Sequence, residues 1–149
     1  MGKLEAYFSA TGTTRRKATE LAKVAGADVH EIVPVERYTA ADLDWHDKRS
    51  RSSVEMADAS SRPQIVGPMC DLSAYDTVYL GFPIWWGVAP RVVETFVDAN
   101  DLSGKEVVLF ATSGGSGIGQ AAKAFKAAYP ALDIVASKLL NGAVAEDII

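Results

Sequence analysis

The sequence predicts an α/β fold, a doubly wound sheet of five parallel strands with helices packed on its faces. Short apolar stretches bounded by Gly, Pro or Asp alternate with amphipathic stretches of helical period. Such alternation is typical of parallel sheets with right-handed crossovers. The chain has 149 residues, of which 48% are hydrophobic and 23% charged, enough for a hydrophobic core. We therefore expect residues 1–149 to form a single domain.

Five stretches are predicted as buried strands, because each is dense in Val, Ile, Leu, Phe or Tyr and flanked by turn-forming residues. In chain order they are Lys3–Ser9, Asp28–Val33, Asp76–Phe82, Lys105–Ser113 and Leu132–Leu140. Little chain follows the fifth strand. We therefore expect the C-terminal helix of the fold to be shortened or missing.

Three helices are predicted between these strands from apolar residues on one helical stripe. The stripe residues are Ala18, Leu21, Ala22 and Ala25 in the first helix, Val92, Val93, Phe96 and Val97 in the second, and Ile118, Ala121, Ala122 and Phe125 in the third. Pro90 is well suited to the first position of the second helix. Glu36–Ile65 is polar and weakly periodic, and a bare loop of this length is rare. We expect a helix within it, over Thr39–Lys48 or Arg49–Ala59.

Charge and composition exclude several function classes. The formal net charge of −4 argues against a broad nucleic-acid surface, which would be basic. Cys70 is the only cysteine, so a cysteine-based metal cluster is excluded and no metal site is predicted. The sequence shows neither a leader pattern nor an apolar run long enough to span a membrane. We expect a cytoplasmic protein.

The first candidate site follows the first strand, where ligands of parallel α/β sheets bind. Its residues are Ser9, Ala10, Thr11, Gly12, Thr13 and Thr14. Ser and Thr favour helix N-caps, and a helix N-terminus presents free N–H groups that suit a phosphate. The sequence after Gly12 does not match the P-loop, which argues against ATP or GTP. An ordinary capped turn remains the alternative, and the cations Arg15, Arg16 and Lys17 then form a solvated face.

The second candidate site follows the third strand. Its residues are Pro83, Ile84, Trp85, Trp86 and Gly87. Two adjacent tryptophans in a loop suggest a flat aromatic ligand stacked on one of them. We expect one of the two to pack on the core, and the sequence leaves open which one.

The third candidate site follows the fourth strand. Its residues are Ser113, Gly114, Gly115, Ser116 and Gly117. The dinucleotide fingerprint fails because Gln120 stands where glycine is needed, and the nucleophile-elbow pattern fails at Ile118. Backbone groups there could read the polar edge of a heterocycle. A phosphate, a flat aromatic system and a polar ring edge together indicate flavin mononucleotide (FMN).

These motifs, in this order, resemble the flavodoxin family, and "IWWG" is similar to a branch of short bacterial members. "YFSATGTT" is similar to the phosphate-binding loop of the family, "YDTVYLGFPIWWGVAP" to its first flavin loop, and "TSGGSGIG" to its second. The resemblance implies the strand order 2-1-3-4-5 and non-covalent FMN. It also implies phosphate contacts from residues 9–14, ring packing on residues 83–87, and ring-edge contacts from residues 113–117. Typical members carry a stacking tyrosine in the second loop. Here the loop has no aromatic residue, so one flavin face is expected to be open.

Three functions remain compatible with these features. The first is a low-potential electron-transfer protein that exchanges electrons with redox partner proteins, as a monomer or homodimer. It needs no catalytic side chain, and none is predicted. The second is an NAD(P)H-dependent flavin or quinone reductase, which the open flavin face and the "FPIWWG" loop favour. The third is an interaction module that binds no cofactor.

Overall fold

Five parallel strands form one sheet in the computed structural model, which describes residues 2–66, 72–113 and 117–140. The strands are β1 (Gly2–Tyr7), β2 (Asp28–Glu31), β3 (Tyr75–Pro83), β4 (Glu106–Thr112) and β5 (Asp133–Leu139). The helices are α1 (Thr13–Ala25), α2 (Arg51–Ala57), α3 (Arg91–Ala99) and α4 (Gly119–Ala128). The strand order is β2-β1-β3-β4-β5, and every neighbouring pair is parallel. This confirms the predicted fold class and strand order.

The predicted C-terminal shortening concerns residues 141–149, which lie outside the described part of the chain, as does Cys70. Among the described residues no helix is long and apolar enough to cross a membrane.

The polar segment contains a helix at the second of the two predicted places, α2. The first place, Thr39–Lys48, forms turns instead. Its Asp side chains accept hydrogen bonds from nearby backbone N–H groups: Asp44 Oδ1 from His46 N at 3.1 Å, and Asp47 Oδ1 from Arg49 N at 2.9 Å. Such local bonds compete with helical ones, which is why this stretch does not continue as a helix.

The N-terminal ends of α1 and α3 differ from the prediction in the residue that caps each helix. Pro90 does not open α3 but precedes it, with an extended ψ of 148°, and Arg91 is the first helical residue. The N-cap of α1 is Gly12 rather than a Ser or Thr, and no side chain caps that helix. Gly12 has a φ of 97°, a conformation that glycine adopts without steric cost.

The sheet separates two hydrophobic clusters because alternate strand residues point to opposite faces. One face packs against α3 and α4 through large apolar side chains, among them Leu80, Phe82 and Phe96. The other packs against α1 and is smaller, with Tyr7, Tyr79 and Phe110 at its centre. We call the two faces the α3/α4 face and the α1 face.

A fully buried carboxyl group lies in the α1 face. Glu5 lies in β1 between β2 and β3, two residues before Tyr7, and none of its surface is exposed. Neither carboxyl oxygen has a hydrogen-bond partner. Burial raises the pKa of Glu5 from 4.5 to about 8, because a charged carboxylate is poorly solvated in this interior.

Candidate functional site

The carboxyl ends of β1, β3 and β4 meet at one edge of the sheet, and a cleft of about 510 Å³ opens there. The predicted site residues that line it are Ala10, Thr11, Pro83, Ile84, Trp85, Trp86 and Ser113. The structure thus brings residues of all three predicted loops to one place. Their role in binding a cofactor stays a prediction. In the third loop Gly114, Gly115 and Ser116 lie outside the described residues, and Gly117 is exposed.

The turn after β1 uses two of its hydroxyl groups within the protein. Ser9 Oγ accepts a hydrogen bond from Gly12 N at 3.0 Å, which holds the turn closed. Thr14 is buried, and its Oγ1 lies 2.7 Å from Thr112 Oγ1, which fastens the start of α1 to the end of β4. The exposed hydroxyls of Thr11 and Thr13 therefore remain beside the helix N-terminus, where the first N–H groups of a helix lack intrahelical acceptors.

Two cations of the first helical turns have acidic partners within the chain. Arg15 pairs with Glu31 of β2, and Lys17 Nζ lies 4.0 Å from Glu20. The pKa of Arg15 is raised mainly by its hydrogen bonds to Glu31 and Tyr7. The cost of placing Arg15 at a helix N-terminus is therefore offset without any bound anion.

The loop after β3 makes a tight two-residue turn that turns Trp86 outward. Trp85 N donates to Val88 O at 2.9 Å, and Val88 N donates to Trp85 O at 3.0 Å. Trp86 and Gly87 between them have φ values of 51° and 79°, the positive values of a type I′ turn. A side chain larger than glycine is strained there, by roughly 1–2 kcal/mol. Trp86 nevertheless occupies the position, with 49% of its surface exposed.

Trp85, its neighbour, packs inward on the core. Its ring makes edge contacts with Phe8 at 5.7 Å and with Tyr38 at 5.2 Å between ring centroids. This confirms that one of the two tryptophans joins the core and identifies it as Trp85. Trp85 still lines the cleft in part, and Trp86 is the more exposed member of the pair.

The ion pair between Arg51 and Glu55 contacts Tyr38. Tyr38 donates its hydroxyl to Glu55, and Arg51 both pairs with Glu55 at 2.8 Å and lies 4.0 Å above the Tyr38 ring. The pKa of Tyr38 is raised, first by burial and then by the hydrogen bond to Glu55. Tyr38 is therefore a neutral, fixed support for Trp85.

Three residues of the polar segment and of α2 also line the cleft: Leu43, Trp45 and Ser52. They were not predicted, although the lone aromatic in "DLDWHDK" was an available signal. Trp45 is 65% exposed, and its ring stacks on His46 at 3.7 Å. All three tryptophans of the chain consequently line one cleft.

Ser52 brings a buried hydroxyl group to the cleft. The residue is 1% exposed, and its Oγ has no hydrogen-bond partner among the described residues. Its backbone is fixed, since Ser52 N donates to Asp42 O at 3.0 Å. Buried hydroxyls are normally paired, so the Ser52 hydroxyl would gain a partner if a polar atom of a ligand reached it from the cleft.

The cleft carries no acid–base group among its described lining residues. The described part of the chain also contains no group of three or more His, Cys, Asp or Glu residues that could hold a metal ion. What the described lining offers is indole rings, hydroxyls, aliphatic side chains and the start of a helix. Such a lining can bind a flat ligand with an anionic end, and its described side chains include no carboxyl, imidazole or thiol group.

The comparisons with known proteins agree with this architecture. The model of the flavodoxin family matches residues 2–149, so the chain belongs to the flavodoxin family. A protein of Bacteroides uniformis, provisionally named a flavoprotein, is 51% identical with a TM-score of 0.95, over 99% of this chain and 94% of that one. One from Bacteroides eggerthii, named in the same way, is 50% identical with a TM-score of 0.94, over 98% and 91% of the two chains.

A more distant structure shares the fold. A Lactobacillus acidophilus flavoprotein, solved in complex with FMN, is 20% identical with a TM-score of 0.75, over 93% of this chain and 92% of that one. A search of curated proteins returned no match.

Proposed function

We propose that the protein binds FMN non-covalently in the cleft and acts as a low-potential electron carrier between redox partner proteins. The observation that carries this proposal is the chemistry of the cleft, whose described lining combines exposed indole rings with hydroxyls and no ionisable side chain. The redox chemistry would then belong to the cofactor, and the protein would supply binding and electrostatics.

The residues present fit FMN at each of its parts. The phosphate would lie at the N-terminus of α1, against the backbone of Gly12 and Thr13 and the hydroxyl of Thr11. The ring would pack on Trp86, the exposed tryptophan of the first flavin loop. The unpaired hydroxyl of Ser52 would form one hydrogen bond with a polar atom of the cofactor. Binding of FMN by the Lactobacillus acidophilus relative supports the assignment, because both chains share the fold.

An NAD(P)H-dependent flavin or quinone reductase is the second candidate. It is favoured by the loop after β4, whose sequence "SGGSG" contains no aromatic side chain to cover the ring. Since one fold can serve several functions, the family does not decide between carrier and reductase.

A visible absorption spectrum of the purified protein is the first test. We expect the purified protein to show the absorption bands of an oxidised flavin. If it is purified colourless, we expect the spectrum of added FMN to change when the protein binds it. A protein that is colourless and takes up no FMN would instead support an interaction module without a cofactor.

Thr11→Asp tests the phosphate assignment. A negative charge at the turn should repel the phosphate and weaken FMN binding by orders of magnitude, measured by fluorescence titration. Thr19→Asp is the matched control, because it adds the same charge to an exposed position further along α1. Equal affinities for FMN in the two variants would refute the assignment.

Rapid mixing with NADPH separates the two candidate functions. In a carrier, the flavin absorption should bleach slowly with NADPH and rapidly with a reduced partner protein. Fast bleaching of the flavin by NADPH would favour the reductase. The partners that we propose are an electron-donating reductase and an acceptor protein, both in the cytoplasm. Size-exclusion chromatography would tell monomer from homodimer.

A further inference from the structure

Trp45 carries an inference that goes beyond cofactor binding and rests on the proposed FMN site. We propose that Trp45 covers the second face of the bound flavin ring and closes it to hydride donors. It would thereby replace the aromatic residue that the loop after β4 lacks. Trp45 would be the residue that makes this cleft a site for electron transfer to proteins.

The position of Trp45 is the first observation. The residue lines the same cleft as Trp86 but comes from a different part of the chain, the segment between β2 and α2. Trp45 is 65% exposed and Trp86 49%, and two exposed indoles that line one cleft form the kind of apolar patch that marks a ligand-binding groove. The ring contact of Trp45 with His46 leaves much of the Trp45 side chain uncovered.

The backbone around Trp45 is fixed by local hydrogen bonds. Thr39 and Asp42 exchange bonds, from Thr39 N to Asp42 Oδ2 at 2.9 Å and from Asp42 N to Thr39 Oγ1 at 3.2 Å. On the other side of Trp45, Asp44 Oδ1 accepts from His46 N at 3.1 Å. The ring is thus presented by a built turn, and Leu43 of the same turn also lines the cleft.

The hydroxyl of Ser52 is a second feature of the same part of the cleft. It is buried and unpaired among the described residues, and it lies in the cleft wall that also contains Trp45. A wall with both an exposed indole and an unpaired hydroxyl is suited to contact a bound molecule.

Two tryptophans remain for the two faces of a flat ring. Trp85 packs on Phe8 and Tyr38, which leaves Trp86 and Trp45 as the exposed indoles of the cleft. They come from separate segments of the chain, the turn before α2 and the loop after β3, and we assign one of them to each face of the ring.

A covered face has a direct chemical consequence. A reduced nicotinamide must stack on the flavin, with the reacting atoms roughly 3–3.5 Å apart. Bound FMN would supply the acceptor for the hydride, two electrons with one proton, and a second proton would come from water as the oxidised nicotinamide leaves. An indole stacked on that face prevents this approach, whereas single electrons can leave through the ring edge to a protein partner.

The test compares Trp45→Ala and Trp45→Phe with Val54→Ala in the FMN-loaded protein. Val54 is the matched control, since it is 56% exposed on α2 but does not line the cleft. Trp45→Ala should weaken FMN binding about ten-fold, from the loss of aromatic stacking. At saturating FMN, the flavin bound to Trp45→Ala should also bleach several-fold faster with NADPH than the flavin of the wild type. Trp45→Phe should stay near the wild type in both measurements, and circular dichroism should show that all variants are folded.

The outcomes separate this inference from the proposed function. If the wild type binds FMN and Trp45→Ala changes neither affinity nor bleaching, the role of Trp45 is wrong and the FMN site stands. If wild-type protein loaded with FMN bleaches rapidly with NADPH, Trp45 does not exclude hydride donors and the reductase replaces the carrier, while the FMN site stands. If the wild type takes up no FMN, the proposed function itself fails. Should Trp45→Ala not fold, Trp45→Leu, which keeps apolar bulk without a flat face, replaces it with the same expected results.

Discussion

The cleft and the α1 face each hold a buried polar group without a partner among the described residues, and the two differ in access. Ser52 lines an open cleft although its Oγ is itself buried, whereas the Glu5 carboxyl lies in the α1 face, on the same side of β1 as Tyr7. A ligand can pair with Ser52 and offset the cost of burying its hydroxyl. Glu5 does not line this cleft. Its carboxyl avoids the free-energy cost of a buried charge by keeping its proton. An unpaired buried group therefore indicates a binding site only where a cavity reaches it.

Glu5→Gln should have the largest effect on stability. Between pH 4.5 and about 8 the folded wild type keeps the Glu5 proton while the unfolded chain loses it. The free energy of unfolding should therefore fall as the pH rises through this window, by up to about 1.4 kcal/mol per pH unit. Chemical denaturation at several pH values should show this slope in the wild type and its loss in Glu5→Gln.

The control for this variant is Glu106→Gln, on the exposed end of β4. It should keep the slope, and both variants should bind FMN as the wild type does. An unchanged slope in Glu5→Gln would contradict the raised pKa, and a large change in FMN affinity would contradict the separation of the two regions.

Trp85→Ala should have the next largest effect, and on a different property from Trp86→Ala. Removing Trp85 deletes its packing on Phe8 and Tyr38 and should lower the free energy of unfolding by about 2 kcal/mol or more. Removing Trp86 should leave stability nearly unchanged and weaken FMN binding. Chemical denaturation and FMN titration measure stability and FMN affinity in both variants. The same loss of stability in Trp85→Ala and Trp86→Ala would contradict the packing of Trp85 alone on the core.

Trp86→Asn examines the strained turn within the cleft. Asparagine tolerates a positive φ better than tryptophan, so the protein without FMN should gain about 1 kcal/mol of stability. The same change should weaken FMN binding, because the exposed indole is lost. Thermal unfolding with and without FMN measures both effects, and a less stable FMN-free variant would argue against strain at this position.

Ser52→Ala should have the smallest effect, confined to the ligand. Without FMN its stability should be equal to that of the wild type or slightly higher, since an unpaired buried hydroxyl is removed. The dissociation constant for FMN should rise by a factor that corresponds to about 1 kcal/mol, one hydrogen bond. Ser137→Ala, at an exposed position of β5, is the control. FMN affinity equal to that of the control would remove Ser52 from the site.

The sequence by itself determined the sheet and the loops that end its strands. The strand and helix periods are local, and in a parallel sheet they bring Thr11, Trp86 and Ser113 to one edge whatever the details of packing. The presence of a turn between Trp85 and Val88 is similarly local, because Gly87 permits the positive φ that it needs.

Only the tertiary structure decided which residues outside the three loops line the cleft and how the two adjacent tryptophans pack. The segment with Leu43 and Trp45 has no period to read. Its place depends on contacts distant in sequence, such as Tyr38 on Trp85 and the Pro34–Ile65 bridge. Trp85 and Trp86 have the same side chain, and only their packing separates the one that contacts the core from the more exposed one. The same holds for Ser52 and Glu5, because whether a cavity reaches a buried group depends on how the elements pack together.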